Sequence, residues 1–223
     1  MRNEELGKNR TALVSRKTKE TEITIKLNID GAGEAKLDYP IGFMGHMLNT
    51  FARHGLFDLE VRASGDLEVD QHHLVEDTGI VLGQCFAQAL GEKKGIWRTG
   101  NCLFPMDETL ARAAVDISGR PFLFFDGKLS GVPLIAGGEQ ALWTDNFQTD
   151  TVEDFWQGFV STAGCNLHLE ILRGRSDHHK IEAMFKAAAR SLRAACKIDK
   201  RAGDAIPSTK GSLGIADIES KCC

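Results

Sequence analysis

GDLEVDQHHLVEDTGIVLGQ at 65–84 and GRSDHHKIEAMFKAAARSLR at 174–193 carry the same pattern twice. His72-His73-Leu74-Val75-Glu76 and His178-His179-Lys180-Ile181-Glu182 each stand where apolar residues begin to recur at helical spacing. On a helix the first histidine and the glutamate lie four residues apart and the second histidine three, so they share a face. Imidazole with carboxylate suits manganese, iron or zinc better than calcium or magnesium. A lone pair of histidines near a glutamate reads most simply as a solvated helix face. Two copies that hold four of the seven histidines read as a metal site. Adjacent histidines on a helix point about 100° apart, so one motif struggles to offer both rings to one ion. Two ions, each drawing on both motifs at an interface between subunits, answer that geometry. Asp70 and Asp177 stand beside the motifs and are expected to hold the second imidazole nitrogens.

Outward from the motifs, TEITIKLNI at 21–29 alternates as a strand, and 58–69 reads as two short strands around Ser64-Gly65. Helical spacing marks 42–54, 76–90, 151–163 and 181–196. Strand signal returns over 110–125 and in NLHLEIL at 166–172, while 126–150 is a Gly-rich loop or edge hairpin. A strand, a helix, two strands, a motif and a helix are followed by strands, a helix, a strand, a motif and a helix, an approximate internal duplication. The expected class is α/β (α+β): two related half-domains, each a small mixed sheet with helices on one face, the helices packed between the sheets. The expected boundaries are an N-terminal tail at 1–12, half-domains at 13–93 and 94–200, and a C-terminal tail at 201–223.

The 42 % hydrophobic and 26 % charged residues of this 223-residue chain suit one ordinary globular core. A net charge of −4 gives no reason to expect nucleic acid or an anionic membrane as partner. No apolar run approaches the roughly 20 residues of a membrane helix. The first twenty residues lack the apolar centre of a secretion signal, so a cytoplasmic location is expected, or a plastid one if a transit segment has been removed. The six cysteines show no CxxC spacing and read as reduced thiols, Cys222 and Cys223 as part of a disordered tail.

An anion site has its own candidates. Lys186 follows Glu182 by one helical turn, and Pro207-Ser208-Thr209-Lys210-Gly211 offers a hydroxyl, backbone N–H groups and an ammonium in a tight turn. Arg98 and Arg120 complete the group. Each taken singly reads as a surface or ion-pair residue; the combination carries the expectation.

These motifs, together with IGF at 41–43, HML at 46–48, HGLFDLEV at 54–61, ALGEKKGIWR at 89–98, PMDETLARAAVDISGRP at 105–121 and IPSTKG at 206–211, resemble the imidazoleglycerol-phosphate dehydratase family over residues 11–214. The resemblance implies dehydration of imidazole glycerol phosphate to imidazole acetol phosphate, a step toward histidine. It implies two Mn(II) ions per site and a large homo-oligomer built from trimers, with sites between subunits. By position it makes His46, His72, His73, Glu76, Asp154, His178, His179 and Glu182 metal ligands. Glu20 and Glu182 become the catalytic carboxylates, and Glu20, His54, Arg98, Arg120, Lys186, Ser208 and Lys210 the contacts to the phosphorylated imidazole substrate. His168 remains a structural strand histidine.

The chain departs from the family pattern at a few positions. Gly45 and Thr50 replace a usual Asp and Gln around His46, Gln71-His72-His73-Leu74 replaces a DHHT run, and Asp154 replaces a ligand histidine. A rival reading is a metal-stapled oligomeric relative with reduced or no dehydratase activity. Retention of Glu20, Lys186 and the Ser208–Lys210 turn favours the enzyme. A generic metallohydrolase would leave the anion candidates unexplained.

Overall fold

A computed structural model describes residues 10–134 and 146–213. The first half runs β1 (Thr11–Lys17), β2 (Thr21–Asn28), β3 (Ala35–Asp38), α1 (Gly42–Gly55), β4 (Asp58–Gly65) and α2 (His72–Leu90). The second repeats that order as β5 (Thr99–Met106), β6 (Thr109–Asp116), β7 (Phe122–Asp126), α3 (Thr151–Ala163), β8 (Asn166–Arg173) and α4 (Asp177–Cys196). Each half forms a four-stranded sheet, ordered β1-β2-β4-β3 and β5-β6-β8-β7. In both, the third strand alone pairs parallel, β3 on β4 and β7 on β8. The duplication read from the motifs is thus a duplication of topology.

Alternation gives each sheet one buried face, with Ile23, Ile25 and Leu27 inward on β2 and Leu167, Leu169 and Ile171 inward on β8. The helices lie on those faces and meet across the halves. α2 packs on β1 and β2 and against α3; α4 packs on β5 and β6 and against α1. One core results, filled by Phe51, Trp156, Phe159, Phe185 and Leu192 among others. Each such side chain contributes about 1.5–3 kcal/mol by leaving water.

The α2–α3 crossing is tight because glycines line it. A Cβ on Gly79 would run into the carbonyl oxygen of Phe155, and one on Gly83 into the carbonyl of Phe159 and the hydroxyl of Thr162. That hydroxyl donates across the crossing to the Ile80 carbonyl at 2.8 Å. Gly83→Ala is expected to cost about 2–3 kcal/mol through overpacking against backbone that cannot yield. The midpoint of urea unfolding measures it, and an unchanged midpoint would mean that the helices can separate at little cost.

Several local expectations need correction. β1 begins at Thr11, inside the expected tail, because its seven residues pair with β2. Residues 58–69 hold one strand, not two: after Gly65 the chain turns, with Val69 N–H donating to the Asp66 carbonyl at 2.8 Å. α2 and α4 start at the motifs, as the motif reading placed them, four residues before the periodic stretches at 76–90 and 181–196; Asp70 accepts from His72 N–H at 2.8 Å and Ser176 from His179 N–H at 3.4 Å. The strands β1, β3 and β5 were not expected. All three are sheet edges, β3 short and β5 carrying Pro105, which an edge tolerates. Within 126–150, the described residues hold an isolated antiparallel bridge between Leu134 and Phe147. Residues 135–145 of that loop, residues 1–9 and Cys222 and Cys223 lie outside the described residues.

Candidate metal and active site

The crossing of the halves places one residue of each half's first helix beside the other half's motif. His46, on α1, meets the motif of α4: its Nε2 lies 3.5 Å from Glu182 Oε2, and His178 Nε2 lies 3.2 Å from the same oxygen. Phe43 packs edge-on against the His178 ring at 5.1 Å between centroids. Among the described residues, His46, His178 and Glu182 are the one trio whose donor atoms all fall within 4.8 Å of one another. Two imidazole nitrogens and a carboxylate oxygen form a donor set that fits Mn(II), Fe(II) or Zn(II).

The related set pairs α3 with the motif of α2. His72 Nε2 lies 3.7 Å from Glu76 Oε2, whereas Asp154 Oδ2 approaches the other ring nitrogen, Nδ1, at 3.3 Å. Asp154 stands where the first set has His46. Within one chain neither set draws on both motifs. Each set takes one motif and a helix of the other half, because α1 packs on α4 and α2 on α3.

The second histidine of each motif turns away from these sets. His73 Nδ1 is 3.1 Å from Asp66, and His179 Nδ1 is 2.8 Å from Glu108. Asp66 and Glu108 therefore do what was expected of Asp70 and Asp177. Asp70 instead accepts from the backbone N–H of His72 at 2.8 Å, and Asp177 is bound to Ser130 N–H at 2.8 Å and to Lys180 Nζ at 3.0 Å. The hydrogen bond to Asp66 raises the His73 pKa above its ordinary value despite some desolvation, and the charges of Asp66, Glu20 and Asp70 add to the rise. Glu108 is held far below the usual carboxylate range by the backbone N–H of Ser176, then by His179 and the N–H of Arg175. Glu108 sits in the β5–β6 turn as Glu20 sits in the β1–β2 turn, so the duplication itself was the signal that could have found it.

The anion candidates separate into two groups. Lys186 Nζ lies 2.8 Å from Glu182 Oε1 and 5.4 Å from the centre of the Phe104 ring. His54 packs edge-on against Phe104, and Arg190 lies over that ring at 5.5 Å. Burial lowers the His54 pKa first, and the charges of Lys186 and Arg190 lower it further, so its neutral form is favoured. Burial opposes ionisation of Glu182, but the hydrogen bond and charge of Lys186, followed by His46, bring its pKa below normal. Arg190 escaped sequence reasoning, although Glu182, Lys186 and Arg190 share one helical face at four-residue steps.

The second group gathers at the far end of α4. Arg98 forks onto Asp116 at 2.6 and 2.9 Å and donates to the Pro207 carbonyl at 2.8 Å. In the following turn Ser208 Oγ accepts from Lys210 N–H at 3.2 Å. Arg98 N–H donates to the carbonyl of Ala195, about 20 Å along the helix from Glu182 at 1.5 Å per residue. Arg120 is exposed in the β6–β7 connection. Within one chain, then, Arg98, Ser208 and Lys210 do not join Lys186.

The model of the imidazoleglycerol-phosphate dehydratase family matches residues 40–192, which include both motifs, His46 and Lys186. The chain belongs to the imidazoleglycerol-phosphate dehydratase family. Relatives in this family of hydro-lyases include the imidazoleglycerol-phosphate dehydratase of Lacticaseibacillus casei, 54 % identical over 92 % of this chain and 100 % of its own. That of an Acidovorax strain is 51 % identical over 94 % of this chain and 95 % of its own. Among solved structures of the family, the Staphylococcus aureus enzyme superposes with a TM-score of 0.69 at 35 % identity, over 85 % of this chain and 99 % of that one. The Pyrococcus furiosus enzyme gives 0.70 at 32 %, over 90 % and 100 %.

Proposed function

We propose that this chain converts imidazole glycerol phosphate to imidazole acetol phosphate with loss of water, in the cytoplasm, using two Mn(II) ions per site shared between copies of itself. Beyond family membership, one observation carries this reading: His46, His178 and Glu182 converge beside Lys186, pairing a metal donor set with a cation. His46, His178 and Glu182 would hold one ion and His72 and Glu76 the other. When bound, such ions supply Lewis acidity that draws electron density from an imidazole ring and orients neighbouring hydroxyls.

The chain's residues account for the remaining tasks. Lys186, Arg190 and neutral His54 surround Phe104 and would receive the polar end of the substrate. Arg98, Ser208 and Lys210 would grip the phosphate of a substrate seated against a neighbouring copy, because they stand too far from Glu182 to serve their own. The same geometry supports self-association into a large oligomer, for which trimers are the proposed unit. With their Nδ1 atoms held by Asp66 and Glu108, His73 and His179 keep Nε2 for an ion bound chiefly by another copy. Glu20, exposed in the turn beside Asp66, is the proposed acid and base. It would take the proton from one carbon as the hydroxyl on the next departs. It would then return a proton to that second carbon as the enol becomes the ketone, the enol O–H proton joining the departed hydroxide as water. Among the described residues no helix is long and apolar enough to cross a membrane.

The degenerate structural reading has Gly45, Thr50 and Asp154 in its favour. Thr50 is buried on α1, one helical turn after His46. The deciding test is product formation from imidazole glycerol phosphate after chelation, with and without added Mn(II). Restored turnover is expected. An assembled, ion-loaded particle that makes no product would establish the structural relative instead.

A further inference from the structure

We infer that Asp154 is a positioning residue that holds Nδ1 of His72, and that it leaves the second ion with one fewer donor from its own chain than the first. This rests on the metal-dependent reading above and assigns Asp154 a role other than that of ligand. The argument begins with the ring nitrogens. His73 Nδ1 is hydrogen-bonded to Asp66 and His179 Nδ1 to Glu108, and His72 Nδ1 lies at ion-pair distance, 3.3 Å, from Asp154. Three of the four motif histidines thus turn Nδ1 toward a carboxylate from another element. For His72 that leaves Nε2, the atom beside Glu76, as the nitrogen free to bind an ion.

The two ring nitrogens point to opposite sides of the imidazole. A carboxylate at Nδ1 stands away from an ion at Nε2, and it serves best by fixing the tautomer and the ring plane. The contrast with the first set is direct. His46 approaches the Glu182 oxygen that His178 also approaches, whereas Asp154, His72 and Glu76 do not close into a trio of that size. The tight glycine-lined crossing of α2 and α3 fixes this arrangement, since Asp154 rides on α3 and His72 opens α2. Aspartate is also shorter than histidine, so from the same helix position its oxygens end nearer the α3 backbone. The halves share a topology, but their ion positions differ in strength.

Competitive chelation of the Mn(II)-loaded oligomer tests this by reading the ions retained per chain, in wild type, Asp154→Asn and Asp154→Ala. Wild type should release one equivalent at least tenfold more readily than the other. Asp154→Asn keeps an oxygen that accepts from Nδ1–H and should hold the weaker ion within about threefold of wild type. Asp154→Ala should weaken that ion by about 10–100-fold, as loss of an orienting partner does. The tighter ion should be unmoved in both variants, which a general loss of structure would not allow. Asp154→Asn as damaging as Asp154→Ala would make the carboxylate a ligand and overturn the proposal. Two equivalents of equal strength in wild type, or an Asp154→Ala variant like wild type, would overturn it too while leaving metal dependence standing. A wild-type oligomer that retains no Mn(II) would remove the metal reading and this inference together.

Discussion

Glu20→Gln should lower turnover by about 10²–10⁴-fold, the usual contribution of a positioned proton-transfer group, with ion content and assembly unchanged. The local structure makes this a clean substitution. Glu20 lies exposed in the β1–β2 turn, and its main chain is what the fold uses: its N–H donates to Thr18 Oγ1 at 3.1 Å, and its carbonyl accepts from Asp66 N–H at 3.0 Å. The side chain bears on the site through its charge, which reaches His73 across Asp66. Glutamine keeps the shape and loses the proton chemistry. The rate of imidazole acetol phosphate formation at saturating Mn(II) measures the effect. Activity within threefold of wild type would take Glu20 out of the acid–base role.

The second large effect separates the two histidines of one motif. His178→Ala should reduce retention of the tighter ion by more than about 100-fold, since removing even an orienting partner costs 10–100-fold. His178 and His46 both face Glu182 Oε2, so the loss falls inside the chain that carries the substitution. His179→Ala should cost a similar amount for another reason. Its ring is pinned to Glu108 away from His46 and Glu182, and in the proposed shared site it serves an ion held chiefly by a neighbouring copy. Oligomers reconstituted from one chain of each kind should therefore regain turnover that neither parent has, wherever an intact His178 meets an intact His179. Mixed particles that stay inactive would place His179 outside any shared site.

Much of this was legible before any coordinates. The repeated motif, the amphipathic spacing of α1 and α3 and the alternation of β2 and β8 are local patterns, and each appears where the spacing puts it. The edge strands β1, β3 and β5 were not legible, because an edge has less burial to imprint on sequence and Pro105 is a residue that strands resist. The partners of Nδ1 were also out of reach. Asp66 and Glu108 reach the histidines only because turns beside the strands meet the N-termini of α2 and α4, which is a tertiary fact. Asp70 and Asp177 were the natural guesses from adjacency, yet backbone and Ser130 donors claim them. The division of the anion candidates along α4 likewise depends on where Arg98 meets Ala195.

The exchange of helices between the halves bears on how such a protein could arise. His46 comes from the first half, and His178 and Glu182 from the second; Asp154 and the pair His72 and Glu76 reverse that parentage. A chain of one half alone would thus own a motif but not the residue that faces it. Two identical half-length chains whose helices crossed as α1 crosses α4 and α2 crosses α3 would supply that residue to each other and form two equivalent sites. Joining them in one gene keeps both sites and frees the copies to diverge, and His46 against Asp154 is a trace of that freedom.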